Sequence, residues 1–218
     1  NFDIDLSVWK HKVIEERERF YIGILRPDGV YHSYHGVNQN GNAGTLLYVH
    51  GNPAGAYQKG REFMTIADLT EQFIKAQISF DDVLQIARSK KIVYAPDATM
   101  QAMLSDVQGR TLVIEPGIGY REEQSKYSLI TNYSLMKPES TKDYIVSGDD
   151  RYERALPLLD NYKSKFSLSN AFELLYTVRQ EGEWATRVSF VYSANDQTVY
   201  YVENNNFEHI RKFKFLPV

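Results

Sequence analysis

Apolar and polar residues alternate with a two-residue period at the very start of the chain. Phe2, Ile4, Leu6 and Val8 fall on one side and Asp3 and Asp5 on the other, the pattern of a half-buried strand. Residues 13–25 continue as strand, interrupted by the charged run 15–19. Arg26-Pro27-Asp28-Gly29 then supplies a turn in which Pro presets φ and Gly takes the left-handed region. Residues 30–35 form the returning strand of that hairpin, and residues 36–41 a second turn. Residues 43–50 are apolar almost throughout, which predicts a central strand covered on both faces. Gly51-Asn52-Pro53-Ala54-Gly55 ends it as a loop.

The period then changes. Residues 65–76 place Ile66, Leu69, Phe73 and Ala76 on one face of a helix, with Thr65 and Asp68 spaced as a capping box. Ser79 and Asp82 repeat the device ahead of a second helix over residues 80–88. Strands are predicted again at 100–106, 111–115 and 127–131, with turns at Gln108-Gly109 and Pro116-Gly117. Helical spacing returns at 149–162, where Pro157 starts or kinks the helix, and at 167–180. Strands at 187–192 and 198–203 flank the turn Asn195-Asp196, and residues 209–216 make the last strand. The order is strands, two helices, strands, two helices, strands. Two helix pairs suffice to cover two stacked antiparallel sheets, so the predicted architecture is α+β in four layers and one domain over residues 1–218.

Composition narrows the function without naming it. With 25 basic and 28 acidic residues the net charge is -3 and no long run of one sign occurs, so the chain carries no nucleic-acid or membrane footprint. No apolar stretch has the length of a bilayer span. The absence of cysteine excludes disulfides, thiolate metal sites and a cysteine nucleophile within these residues, and leaves the compartment open, with the cytoplasm favoured. The 16 tyrosines and 11 phenylalanines favour strand pairing over an all-helical bundle. The chain opens on Asn without an initiator Met, which is read as a processed, trimmed or partial polypeptide with chemistry upstream of Asn1.

Candidate chemistry is thin by the usual signals. His32 and His35 stand three apart in a strand pattern and so project to opposite faces, unsuited to sharing a metal. Neither a phosphate-cradling Gly-rich loop with its Lys-Ser/Thr nor a Gly-x-Ser-x-Gly elbow occurs. What remains are polar residues at the edges of apolar strands: Asp3, Tyr48, Asn132 and Arg151. Each has an ordinary structural explanation: a solvated strand face for Asp3, a hydrogen-bonded core tyrosine for Tyr48, a turn residue for Asn132 and a helix-start ion pair for Arg151.

Taken together they suggest more. Asn1-Phe2-Asp3, Gly36-Val37-Asn38-Gln39-Asn40-Gly41 leading to Tyr48, Ile130-Thr131-Asn132-Tyr133, Asp150-Arg151-Tyr152-Glu153-Arg154-Ala155 and Ala185-Thr186-Arg187-Val188-Ser189-Phe190 occur in the order found in the choloylglycine hydrolase family, which includes penicillin V acylases. The sequence resembles that family over nearly its whole length. The resemblance implies the N-terminal nucleophile (Ntn) hydrolase fold, a four-layer αββα sandwich of two antiparallel sheets, here without its first strand. It implies hydrolysis of linear, non-peptide amides by an N-terminal Cys whose own α-amine is the base, and neither that Cys nor the Arg expected close ahead of Asn1 is among these residues. It assigns Asp3 to holding the nucleophile's amine, Asn132 to the oxyanion, and Arg151, with Arg154 as the fallback, to the arginine near the nucleophile. Tyr48 falls where penicillin V acylases tend to have Tyr and bile-salt hydrolases Asn.

The span from Asn132 to Arg151 is shorter than in bile-salt hydrolases, which argues against their tetramer and against bile salts, though not against a homo-oligomer. The expected partners are an N-acyl small-molecule substrate, in an apolar pocket built partly by residues 51–57, and a short amino-terminal fragment bearing the nucleophile. No cofactor or metal is implied. The alternatives are a catalytically inactive homologue that binds acylated small molecules and an acyltransferase using the same residues.

Overall fold

The computed structural model describes residues 10–49, 53–57, 62–94, 99–140, 150–162 and 166–216. The opening strand and Asp3 lie outside the described residues. The charged run at 15–19 is the tip of a hairpin, so residues 13–25 form two strands, β1 (His11–Glu16) and β2 (Arg19–Leu25). They continue into β3 (Tyr31–Asn38) and β4 (Ala43–Tyr48), then β7 (Met100–Ser105), β8 (Thr111–Glu115) and β9 (Gly119–Glu123). All seven pair antiparallel in the order β1-β2-β3-β4-β7-β8-β9. A bulge between Ile22 and Gly23 of β2, opposite Tyr34, offsets β3 by one residue. Two short segments, β5 (Phe63–Thr65) and β6 (Lys91–Val93), pair in parallel, an element absent from the sequence prediction.

Alternation along the strands gives this sheet two apolar faces. Leu46, Ala102, Leu104, Leu112 and Ile114 bury against α1 (Ile66–Ile74) and α2 (Phe80–Ser89), whose caps are those read from the sequence: Thr65 Oγ1 accepts from the Asp68 N–H at 3.0 Å, and Ser79 and Asp82 cap reciprocally. Asn38 ties this layer to the sheet. Its Oδ1 accepts from the Asn40 and Asn42 N–H groups in the β3–β4 turn, while its Nδ2 donates to the Phe73 and Ile74 carbonyls at the end of α1. Gly44 lets helix and sheet approach closely there, because a Cβ would stand 3.0 Å from Leu104 and 3.1 Å from Ile74 and push those side chains aside.

On the other face, Phe20, Ile22 and Val37 pack against Val199 and Tyr201 of the second sheet and Phe215 just beyond it; that sheet, β10 (Val188–Ser193), β11 (Thr198–Glu203) and β12 (Arg211–Lys214), is also antiparallel. Helix α3 (Arg151–Asn161), with Pro157 inside it, packs on α4 (Leu168–Val178), and α4 contacts β10. Among the described residues the architecture is therefore α+β, with two antiparallel sheets, the short parallel pair β5–β6 and four α-helices. Residues 127–131, expected as a strand, have no regular structure, and β9 was not anticipated. Among the described residues no helix is long and apolar enough to cross a membrane.

Candidate active site

Three of the four sequence candidates meet. β4 delivers Tyr48 at its C-terminal end, the irregular segment before Ser134 carries Asn132, and α3 begins at Arg151. Asn132 donates Nδ2 to the Tyr48 carbonyl at 2.6 Å, and Arg151 Nη2 donates to Asn132 Oδ1 at 2.5 Å. A carbonyl on one side and a guanidinium on the other fix which end of the amide is nitrogen, since only one orientation satisfies both. The Nδ2 group carries two hydrogens, and the second has no partner among the described residues. Arg154, the fallback, is engaged elsewhere: its Nη1 donates to the Thr177 carbonyl and its Nε faces Asp150 Oδ1 at 2.8 Å, which fastens α3 to α4. Asp3 lies outside the described residues.

Arg151 and Thr131 also line a cavity of about 730 Å³ between the large sheet, α4 and β10. That volume lies within the span of small-molecule sites, roughly 300–1,000 Å³. Its walls are chiefly apolar, with Ile22 and Leu47 on the sheet side, Leu129 and Ile130 beside Asn132, and Leu174 and Phe190 opposite. Among its polar lining residues is His35, whose Nδ1 lies 2.6 Å from Thr45 Oγ1. Burial pushes the His35 imidazole down to about 4, so it is neutral at neutral pH. His32, three residues earlier, instead bonds Glu71 of α1 at 2.8 Å, so the two histidines serve different layers, as their spacing predicts. The described part of the 51–57 loop, residues 53–57, does not line this cavity. Among the described residues no three His, Asp or Glu side chains cluster as metal ligands.

Two residues close to Asn132 escaped the sequence reading. Gln101 is fully buried and donates Nε2 to the carbonyls of Thr131 and Tyr133 at 2.5 and 3.0 Å. Glu115, 1% exposed, accepts from the Leu135 and Met136 N–H groups at 2.8 and 3.2 Å and from the Ser134 hydroxyl. The signal was present, a polar residue inside an apolar strand run, and it is the signal that singled out Tyr48.

The fold is similar to that of a conjugated bile acid hydrolase from Clostridium perfringens, in two variant structures, each with a TM-score of 0.64. Identities are 14% and 15%, over 92% and 93% of this chain and 83% and 78% of those chains. It is likewise similar to penicillin V acylase from Agrobacterium tumefaciens, with a TM-score of 0.63 and 14% identity, over 88% of this chain and 71% of that one. No family model and no curated protein sequence matches the chain.

Proposed function

We propose that this protein hydrolyses linear, non-peptide amide bonds of N-acyl small molecules, in the manner of a penicillin V acylase, through a cysteine thiol that the 218 residues do not contain. The observation that carries this is the chain of hydrogen bonds Tyr48–Asn132–Arg151 beside an apolar cavity, joining residues 84 and 19 positions apart in sequence. The likeness of fold to a bile acid hydrolase and a penicillin V acylase supports it. So do the core packing of α1 and α2 on one sheet face and of the second sheet on the other, the outline of a four-layer αββα Ntn-hydrolase sandwich.

In this mechanism the thiol sulfur attacks the amide carbon, a C–S bond forms, and the carbonyl oxygen becomes an oxyanion that accepts the second N–H of Asn132. Arg151 holds Asn132 in orientation and keeps positive charge near the developing anion. The C–N bond then breaks as the leaving amine takes the proton that the nucleophile's α-amine had received from the thiol, and Asp3 holds that α-amine in place. Water attacks the thioester and releases the carboxylic acid and the thiol. The nucleophile arrives on a short amino-terminal segment or fragment, and the cavity takes the acyl group. No cofactor enters the scheme.

The test uses the native protein from its own gene. Intact mass combined with trapping by an electrophilic β-lactam should give an acyl adduct on a cysteine, and penicillin V should yield phenoxyacetate. A native polypeptide that has no cysteine and takes no label defeats the proposal. One observation favours a second account, an inactive homologue that binds acylated small molecules: the 218 residues contain no cysteine. Under that account the native protein binds an N-acylglycine reversibly and never turns it over.

A further inference from the structure

Asn132 sits in a segment without regular secondary structure, yet it is gripped from both sides by side chains of the rigid sheet. Gln101 on β7 takes the two carbonyls that flank it, those of Thr131 and Tyr133, at 2.5 and 3.0 Å. Glu115, the last residue of the adjacent strand β8, takes the next three residues: the Ser134 hydroxyl on Oε2, and the Leu135 and Met136 N–H groups on Oε1 at 2.8 and 3.2 Å. Ser134 Oγ in turn accepts from the Lys137 N–H at 2.8 Å, so the grip extends to Lys137. Two buried polar residues on neighbouring strands thus fix the backbone from 131 to 137.

The grip comes with a cost in stability. Gln101 Oε1 and Thr131 Oγ1 are buried and have no hydrogen-bond partner among the described residues, an arrangement that lowers stability. Two such atoms next to one asparagine are expected where geometry is kept for function at the expense of stability. A donor aimed at a developing charge contributes only if it is already in place, and a misplacement of about 1 Å can lose roughly 100-fold in rate.

We propose that Gln101 and Glu115 are positioning residues that aim the second N–H of Asn132 at the reacting oxygen. This rests on the amide-hydrolase function proposed above. Gln101→Leu removes both carbonyl clamps at similar volume. Glu115→Leu removes the acceptors, and Glu115→Gln keeps one oxygen for the two N–H groups. In the native protein, Gln101→Leu and Glu115→Leu should each lower kcat by about 10- to 100-fold with KM within about twofold, with Glu115→Gln recovering most of the loss. Leu69→Ala, a cavity in the α1–α2 core that leaves the bonds of Gln101 and Glu115 to the segment in place, should lower Tm without lowering kcat. Equal kcat in Gln101→Leu and wild type overturns the inference, as does a fall in kcat for Leu69→Ala that matches its loss of Tm.

A second readout separates this inference from the function itself. In the resting wild-type protein the side-chain amide of Asn132 should give a nitrogen-proton resonance pair displaced from that of a free asparagine. Gln101→Leu should bring it back to the free position, even if no amide substrate is ever found. An unmoved resonance overturns the positioning role. A native protein that releases no product from any acyl amide, but whose Asn132 resonance moves as expected, refutes the function and leaves the grip on Asn132 standing.

Discussion

Asn132 reaches Tyr48 across 84 positions of sequence because β4 outruns its neighbour. The β3–β4 register pairs only residues 35–37 with 43–45, while on the other edge β4 pairs with β7 as far as Tyr48 and Met100. The Val49 N–H donates to the Thr99 carbonyl on that second edge. Tyr48, one residue earlier, therefore turns its carbonyl to the edge that β3 has left. The Asn132 amide takes the place of the missing strand there, which is how a loop residue comes to be held as firmly as a ladder residue.

Replacing Asn132 by Ala should lower kcat of the native protein by about 100- to 1,000-fold while KM changes little, the loss typical of a single oxyanion donor. Asn132→Asp should be at least as damaging, since a carboxylate there would form an ion pair with Arg151, lose the N–H donor and repel the oxyanion. Steady-state kinetics on an N-acyl amide checks both, and wild-type rates in Asn132→Ala would remove Asn132 from the mechanism.

Arg151 and Asn132 should act as a unit. In a double-mutant cycle built from Asn132→Ala and Arg151→Met, the losses in kcat/KM should fall short of additivity by about 0.5–3 kcal/mol, as they do for directly bonded groups. Additive losses would mean that Arg151 serves the reaction independently of Asn132. The same cycle between Asn132 and Arg154 should be additive, because Arg154 is spent on Thr177 and Asp150.

These expectations trace back to sequence positions that were legible to different degrees. Tyr48 and Asn132 stood out as polar residues at the end of apolar runs and Arg151 by its place in a known motif order, although Tyr48 meets Asn132 through its main-chain carbonyl, which no side-chain pattern announces. Gln101 and Glu115 carried the same signal, a polar residue in an apolar strand run, but alternation assigns such a residue to solvent, whereas these two are buried and hold a neighbouring backbone. Residues 127–131 misled for the converse reason: Leu129 and Ile130 line the cavity without joining a ladder, and periodicity cannot tell the two fates apart. The strand β9 was hidden because it is an edge of mostly exposed, charged residues with Gly119 at its start, which gives no apolar period. α1, α2 and α4 were legible because a cap and an apolar face lie within a few residues of each other, whereas α3, which has no side-chain cap, showed only helical spacing.

The joint between the two sheets should be the most sensitive part of the core. Phe20 is fully buried, with its ring centroid 5.5 Å from Phe190, 5.1 Å from Tyr201 and 6.1 Å from Phe213. Phe20→Ala should cost about 3–5 kcal/mol and Phe20→Leu distinctly less, measured by denaturant unfolding. Equal costs would show that the site is tolerant of volume and that the second sheet is held elsewhere, for instance by the Tyr201 hydroxyl bond to Glu15 at 2.9 Å.

Stability should depend on pH through the clamp between α1 and the β2–β3 hairpin. His32 Nδ1 lies 2.8 Å from Glu71 and Nε2 lies 2.8 Å from Asp28, and Lys75 Nζ is 2.9 Å from Glu71. Burial by itself pulls the His32 imidazole down, but the bonds to Glu71 and then Asp28 outweigh it and leave it above its ordinary 6.5. For Glu71, burial pushes upward, and the bonds from His32, Lys75 and the Ser33 N–H outweigh that and leave it below 4.5. A raised histidine contributes its full stabilisation below 6.5 and loses it as pH rises through the higher folded value. A lowered carboxyl contributes above 4.5 and loses it as pH falls through the lower folded value. The clamp is therefore strongest between about pH 4.5 and 6.5 and weakens on both sides. His35 works against it, because its depressed value favours folding at higher pH and is lost as pH falls from 6.5 towards 4. The wild-type curve alone thus mixes two histidines, and the quantity to measure is the difference in unfolding free energy between wild type and His32→Gln. That difference should be largest near pH 6 and shrink by pH 8. A difference that stays flat from pH 5 to 8 would mean that His32 is held by packing and not by its charge.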